Sequence, residues 1–258
     1  MPLPRERHFF YKIKGSEIRM ANYQLLDKKK HHDLRVTSRY TEELGYDVGA
    51  VMVMDTELRA AQREYPIIFR RHAETGRFFP NVLLGFKQNE NLFLDGEGNW
   101  TANHIPLAVA KGPFVIGFQD VEGKQALSAC VDTDDPRVSQ EGDGEALFEK
   151  DGSLTPYMEY ISKILLLLHQ STKSVTNMVD LFVELGLLEP LRLDIQFING
   201  ENLEFEGGYT ISEEKLSELD GASLERLHKE GFLAAAYYIS GSLGNVQKLI
   251  DIKNQQLA

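Results

Sequence analysis

The residues that could do chemistry in this sequence are one histidine and a group of aromatic side chains in the first half of the chain. We single out Tyr65, Trp100 and His104, because Trp100 and His104 stand among polar residues beside a glycine-containing turn, where binding residues tend to occur. A pocket with aromatic walls and one imidazole suits a ligand. Aromatic rings also dominate protein cores, so burial is the competing interpretation. The wider aromatic group is Tyr65, Phe78, Phe79, Phe93, Trp100, His104 and Phe114.

Acid–base catalysis is the second chemistry that the residues allow. Histidine suits it because its pKa lies near neutral pH, and His104 and His32 are the candidates. An enzyme of this kind requires a concave pocket in which one of these imidazoles meets a carboxylate. No other residue pattern in the sequence assigns a catalytic role.

Motifs for phosphate, calcium and metal binding are incomplete in this sequence. Gly96 and Gly98 begin a dinucleotide fingerprint, but Thr101 replaces its third glycine. The stretch from Asp95 to Asn99 resembles the start of a calcium loop that lacks its later glycine and acid. Adjacent His31 and His32 diverge and follow three lysines, so we read them as part of a solvated turn. We therefore predict no cofactor and no metal site.

Composition and charge exclude several classes of partner. The chain has 258 residues and a net charge of −11, which disfavours nucleic acid and anionic lipid. Its single cysteine, Cys130, excludes an intramolecular disulfide and is expected to be a small buried strand residue.

The N-terminus has no apolar signal segment, and the longest apolar run, Ile164 to Leu168, is too short to span a membrane. A cytoplasmic location is expected, with surface association through a non-Sec route as the alternative.

The secondary structure predicted to position these residues differs between the two halves of the chain. Short apolar runs predict a largely antiparallel sheet in the N-terminal half, and helical spacing predicts a helical C-terminal half, so the fold class is α+β. Asn199 and Gly200 indicate a further hairpin in the second half. The predicted strands cover residues 49–54, 67–69, 82–86, 91–94, 114–118, 126–131, 191–198 and 203–205.

The helical half begins at Thr155 and Pro156, a cap followed by proline at the first helical position. Apolar residues recur at helical spacing over 158–168 and again over 175–185, which predicts two helices packed as a hairpin. Residues 1–21 are expected to be an extension and residues 22–258 a single α+β domain. An acidic, glycine-rich stretch at 132–152 is the candidate internal boundary.

A collinear series of motifs from about residue 22 to about residue 250 resembles the bacterial SapC family. The motifs are Tyr23–Leu26 with His32 and Leu34–Arg35, Glu64–Phe69, Leu83–Gly85, Glu90–Asp95, Gly98–Trp100, Ile105–Pro106, Pro113–Phe114, Glu145–Phe148 with Asp151–Gly152, Leu187–Pro190 and Leu243–Asn245. Residues 1–21 depart from the pattern.

The resemblance implies a bacterial protein without assigned catalytic residues. The family is named after a locus for a surface layer, and some members are encoded near halogenase-like and cupin-like proteins. We expect a non-catalytic binding or accessory protein for a peptide, a glycan or a partner enzyme. The alternatives are a histidine-based enzyme and a surface-layer protein, and self-association into a homo-oligomer stays open.

Overall fold

A computed structural model describes residues 21–121, 124–142 and 144–258. The expected extension at 1–21 lies outside these residues, except for residue 21. The strands in chain order are β1 (Tyr23–Leu25), β2 (Arg35–Val36), β3 (Ala50–Met52), β4 (Ile67–Arg71), β5 (Phe78–Leu83), β6 (Phe114–Val121), β7 (Lys124–Asp132), β8 (Val138–Ser139), β9 (Glu145–Ala146), β10 (Leu188–Gln196) and β11 (Asn202–Ile211). The α-helices are α1 (Leu58–Ala61), α2 (Leu107–Ala110), α3 (Pro156–Glu184), α4 (Glu213–Ser217), α5 (Gly221–Lys229), α6 (Leu233–Ser242) and α7 (Asn245–Leu257).

The main sheet has five antiparallel strands in the order β10-β11-β4-β5-β3. Ile67, Ile68 and Phe69 of its central strand are all fully buried, which explains their unbroken apolar run. The β10–β11 hairpin turns at Gly200, whose φ of 84° is the left-handed conformation that glycine favours. The second half of the chain thus contributes two strands to the sheet of the first half.

Two smaller sheets lie outside the main one. Strands β1-β7-β6 form an antiparallel sheet in which Phe114 and Val131 are paired and fully buried. Strand β2 pairs with both β8 and β9 and ties the acidic stretch 132–152 to the start of the chain. Cys130 lies on β7, as expected, and is half-buried.

Helix α3 runs without a break through 29 residues, so the prediction of a helical hairpin at 158–185 is wrong. The cap is as predicted, because the Thr155 hydroxyl accepts a hydrogen bond from the Met158 N–H. Residues 169–174, which lie between the two predicted helices, are helical. Ser171 there is buried with its hydroxyl 3.4 Å from that of Thr56, and Thr172 donates to the Leu168 carbonyl. These contacts satisfy the hydroxyls within a helix.

The apolar core consists of two clusters that α3 connects. The larger cluster lies between the main sheet, the second half of α3 and α6, and the smaller one between the β1-β7-β6 sheet and the first half of α3. Leu168, at the middle of α3, packs against both. Antiparallel sheets with helices confirm the α+β class.

One predicted strand is absent from the described structure. Residues 91–94 were predicted to form a strand, but they contribute one bridge, from Leu94 to Trp100, and a hydrogen bond from the Leu92 N–H to the Leu84 carbonyl beyond the end of β5. Asn91 explains the difference, because its buried side chain donates to the Tyr46 carbonyl and accepts from the Phe93 N–H. These hydrogen bonds between a side chain and the backbone take the place of the backbone hydrogen bonds that a strand would form.

Among the described residues, no helix is both long enough and apolar enough to cross a membrane.

Candidate functional site

The three predicted site residues converge on one hydrogen-bonded network. The Trp100 indole N–H donates to the Tyr65 phenol oxygen over 2.8 Å. The Tyr65 hydroxyl in turn donates to the backbone carbonyl of His104. Residues that are 35 and 39 positions apart in sequence thus meet through a single phenol. The prediction that Tyr65, Trp100 and His104 line a ligand pocket is untested by this arrangement and stays a prediction.

Local structure explains how each side chain reaches the network. Trp100 follows a tight turn in which the Asp95 carboxylate accepts hydrogen bonds from the Glu97 and Asn99 N–H groups. Tyr65 lies in the turn that connects α1 to β4. His104 lies in the short connection that leads into α2. The glycine-rich motif that resembled a calcium loop is therefore a turn that positions Trp100.

Burial gives Tyr65 and Trp100 the character of core residues. Tyr65 is completely buried and Trp100 is 8% exposed, although its polar neighbours in sequence suggested a surface position. Phe93 packs edge-on against Tyr65 at 4.7 Å and lies parallel to Trp100 at 6.4 Å. Burial raises the pKa of the Tyr65 phenol, and the hydrogen bond from Trp100 partly opposes the change. The phenol therefore stays neutral and bonded at physiological pH.

The wider aromatic group divides between different parts of the fold. Phe93 joins Tyr65 and Trp100, whereas Phe78 of β5 packs against Tyr209 of β11 at 4.8 Å. Phe114 belongs to the smaller core cluster, where it contacts Tyr157 at 6.4 Å. Sequence proximity thus overestimated the size of the aromatic constellation.

The imidazole of His104 meets a carboxylate that sequence reasoning did not select. His104 Nε2 lies 3.1 Å from Oε1 of Glu57, which is 4% exposed. The Glu57 carboxylate also accepts from the Leu107 N–H at 3.0 Å and from the Met54 N–H at 3.1 Å. Since a carboxylate only accepts, the His104 proton belongs on Nε2, and Nδ1 is left without a partner among the described residues.

The other two histidines considered in the sequence analysis, His31 and His32, differ in burial. His32 is 42% exposed in its side chain and lies 3.1 Å from the exposed Asp33 carboxylate. His31, expected in a solvated turn, is instead buried at 4% exposure. Its Nδ1 accepts from the Asp27 N–H at 3.0 Å, and burial lowers its pKa. The fixed ring organises the turn 27–31, which explains why it is not a surface residue.

The comparisons with known proteins identify a family. The SapC family model matches residues 26–249.

This chain belongs to the SapC family.

The match covers the same region as the motifs read from the sequence. Neither the curated proteins nor the solved structures gave a match to the chain.

A second polar cluster in this SapC-family chain was missed by sequence reasoning. Arg137 makes two 2.7 Å hydrogen bonds to Asp135 and a third, of 3.0 Å, to the Tyr46 hydroxyl. The nearby Lys111 ammonium donates to the carbonyls of Phe114 at 3.2 Å and Gly112 at 3.5 Å. Burial lowers the pKa of Lys111 to about 8, and the charge of Arg137 adds to the effect. No motif signalled this cluster, since its members come from three separate segments.

Two shallow clefts are present on the described surface of the SapC-family chain. The first, of about 380 Å³, is lined by Gln24, Lys30, His31, Leu34, Thr133, Val138, Ser139 and Gln140. The second, of about 300 Å³, is lined by Glu189, Thr210, Ile211, Ser212, Glu213, Glu214, Ser240 and Leu243. Neither includes Tyr65, Trp100 or His104. Within residues 21–121, 124–142 and 144–258, no group of three or more His, Cys, Asp or Glu side chains is arranged to hold a metal ion.

Proposed function

We propose that this chain is a non-catalytic binding or accessory protein for a peptide, a glycan or a partner enzyme. The observation that carries the proposal is that the polar groups in and around the Tyr65 network form their hydrogen bonds with other groups of the same chain. Its phenol, its indole N–H and the Glu57 carboxylate all bond to groups of the same chain. Groups held in this way stabilise a rigid core and are poorly placed to exchange protons with a substrate.

The arrangement of the core supports the further proposal that residues 22–258 act as one unit. Leu168 of the continuous helix α3 packs against both apolar clusters, so neither cluster is separate from the other. We propose a cytoplasmic location, with surface association as the alternative outcome of a fractionation experiment.

Native mass spectrometry of the chain tests the binding role. The chain would be tagged at its chromosomal locus and isolated at its natural expression level. We expect a complex whose mass exceeds 29.2 kDa by that of a different molecule, which can then be purified and titrated back onto the chain. A bare 29.2 kDa species, or multiples of it alone, would contradict the proposal.

A histidine-based enzyme is the second candidate, and the His104–Glu57 pair is the observation that favours it. A carboxylate that holds one imidazole nitrogen and leaves the other free is the arrangement of a general base and its orienting partner. The His104 side chain is 20% exposed, so part of the imidazole ring is open to solvent.

Small molecules that copurify with the chain separate the two candidates. If His104 acts as a base, the natural chain should release a product that is absent from a folded His104→Gln variant. If binding is the function, His104→Gln should retain the same bound molecule as the natural chain. His72→Gln, at another described histidine that lies on an exposed turn, is the matched control.

A further inference from the structure

The cleft between the end of β11 and helix α6 combines three carboxylates with buried hydroxyl groups. Glu189 lines it from β10, and Glu213 and Glu214 line it from the start of α4. Thr210, Ser212 and Ser240 supply the hydroxyls and are each at most 7% exposed. The cleft shares no residue with the Tyr65 network, on which the proposed function rests.

The strand register places the key side chains together. Glu189 of β10 is directly opposite Thr210 of β11, so their side chains emerge on the same face of the sheet. The β10–β11 pairing ends at the next residue pair, where the Ser212 N–H bonds to the Leu187 carbonyl at 2.8 Å and turns the chain into α4. This turn brings Glu213 and Glu214 beside the sheet pair.

Thr210 carries an unsatisfied polar atom in the lining. It is 4% exposed, and its Oγ1 has no hydrogen-bond partner among the described residues. A buried hydroxyl without a partner is unfavourable, because it has lost water and gained nothing in return. A donor that enters from the cleft would satisfy it.

The carboxylates of the cleft are also free. None of Glu189, Glu213 and Glu214 forms an ion pair or a side-chain hydrogen bond within the described part of the chain, and no Lys, Arg or His lines the cleft. Unneutralised negative charge beside a hydroxyl acceptor selects a positively charged donor.

We propose that this cleft binds a primary alkylammonium group, as presented by a diamine or by a lysine side chain. An ammonium has three N–H donors and no acceptor, which matches a lining of carboxylates and a hydroxyl oxygen. Leu243 and Ile211 give an apolar wall for the methylene stem of such a ligand. A lysine side chain on a partner protein and a free diamine share this chemistry.

The test is a titration of the full chain followed by ¹⁵N–¹H NMR of the backbone amides. The probes are cadaverine, Nα-acetyl-lysine methylamide and, as the uncharged match, Nα-acetyl-norleucine methylamide. We expect saturable shifts of amides at 187–190, 209–214 and 240–243 with the first two probes and none with the third. Tighter binding of cadaverine would assign the site to a free diamine, and tighter binding of the lysine derivative to a partner protein.

Single variants locate the binding. Glu189→Gln and Thr210→Val should each weaken the affinity about tenfold, the effect of losing one charge-assisted hydrogen bond. Glu159→Gln, at an exposed carboxylate in the first turn of α3, removes the same charge elsewhere and should leave the affinity unchanged. The amide spectra report whether each variant is folded.

Three results would overturn the proposal. They are an absence of saturable shifts in the natural chain, shifts that map to other residues, and equal weakening by Glu159→Gln and Glu189→Gln. The last would indicate attraction to the overall negative charge of the chain. None of these results bears on whether the chain copurifies with a partner, so this site and the proposed function can fail separately.

Discussion

Replacing Tyr65 with phenylalanine removes one oxygen atom from the larger core cluster and leaves two polar groups without their partner. The Trp100 indole N–H loses its acceptor, and the His104 carbonyl loses the phenol as donor. The ring itself is unchanged, so packing against Phe93 is preserved. Each unsatisfied group costs roughly 1–1.5 kcal/mol, and we expect Tyr65→Phe to lower the free energy of unfolding by about 2–3 kcal/mol.

Urea denaturation measures this change, and the chain provides its own probe. Trp100 is the only tryptophan, so its fluorescence reports directly on the network, while circular dichroism reports on the helices. In thermal unfolding the same change should lower Tm by roughly 4–10 °C for a chain of this size. Tyr237→Phe is the matched control, because Tyr237 is 56% exposed and its hydroxyl has no partner among the described residues.

A Tyr65→Phe variant as stable as Tyr237→Phe would refute the reasoning. That result would mean that the network contributes nothing to the fold, and the argument for a rigid, non-catalytic site would lose its basis. A double-mutant cycle with Trp100→Phe adds a second criterion. We expect a coupling energy of at least about 1 kcal/mol between the two positions, as residues in one hydrogen-bond network give.

Three further predictions concern buried charge and helix continuity. Lys111→Met should raise stability at pH 7 by about 1–2 kcal/mol, since the lowered pKa corresponds to about 3 kcal/mol against the charged form and two carbonyl contacts are lost. In urea titrations this advantage should disappear as pH rises from 8 to beyond 10.5, where the lysine is neutral in both states. His31→Gln should flatten the loss of stability that the natural chain shows as pH falls below about 6.5, because the buried ring resists a proton that the unfolded chain accepts. An unchanged difference between the two chains at pH 7 and pH 5 would contradict this. Lys173→Pro should cost about 3 kcal/mol or more by circular dichroism-monitored melting, and Lys173→Ala far less, because the exposed residue 173, which lies between the two predicted helices, is inside one continuous helix. Equal melting of the two Lys173 variants would indicate a break there.

The sequence allowed the strands and the helix start to be predicted where one local pattern decided the structure. Thr155 followed by Pro156 marked the start of α3, and Asn199–Gly200 marked the β10–β11 turn. Each of these signals depends on the chemistry of two adjacent residues. The break predicted within α3 failed because Ser171 is polar and buried at once, with a hydroxyl neighbour on Thr56 that lies 115 residues away.

In the candidate site, too, contacts between residues far apart in sequence could not be predicted from local patterns. Tyr65, Trp100 and His104 could be chosen by residue type, but the phenol that joins them could not be inferred from spacing. Glu57 was overlooked, because nothing near it in the sequence indicates a histidine 47 positions later. Trp100 was expected near solvent, since its neighbours are polar, and its burial follows from a partner on a distant segment that satisfies the indole.

The unbroken helix α3 also has a mechanical meaning. Twenty-nine helical residues span about 44 Å, with one end embedded beneath the small sheet and the other beneath the large one. Because the helix is continuous, we expect a displacement of one sheet to tilt the whole helix and so to displace the other sheet. The two sheets are therefore mechanically coupled over about 44 Å through a single helix that has no hinge.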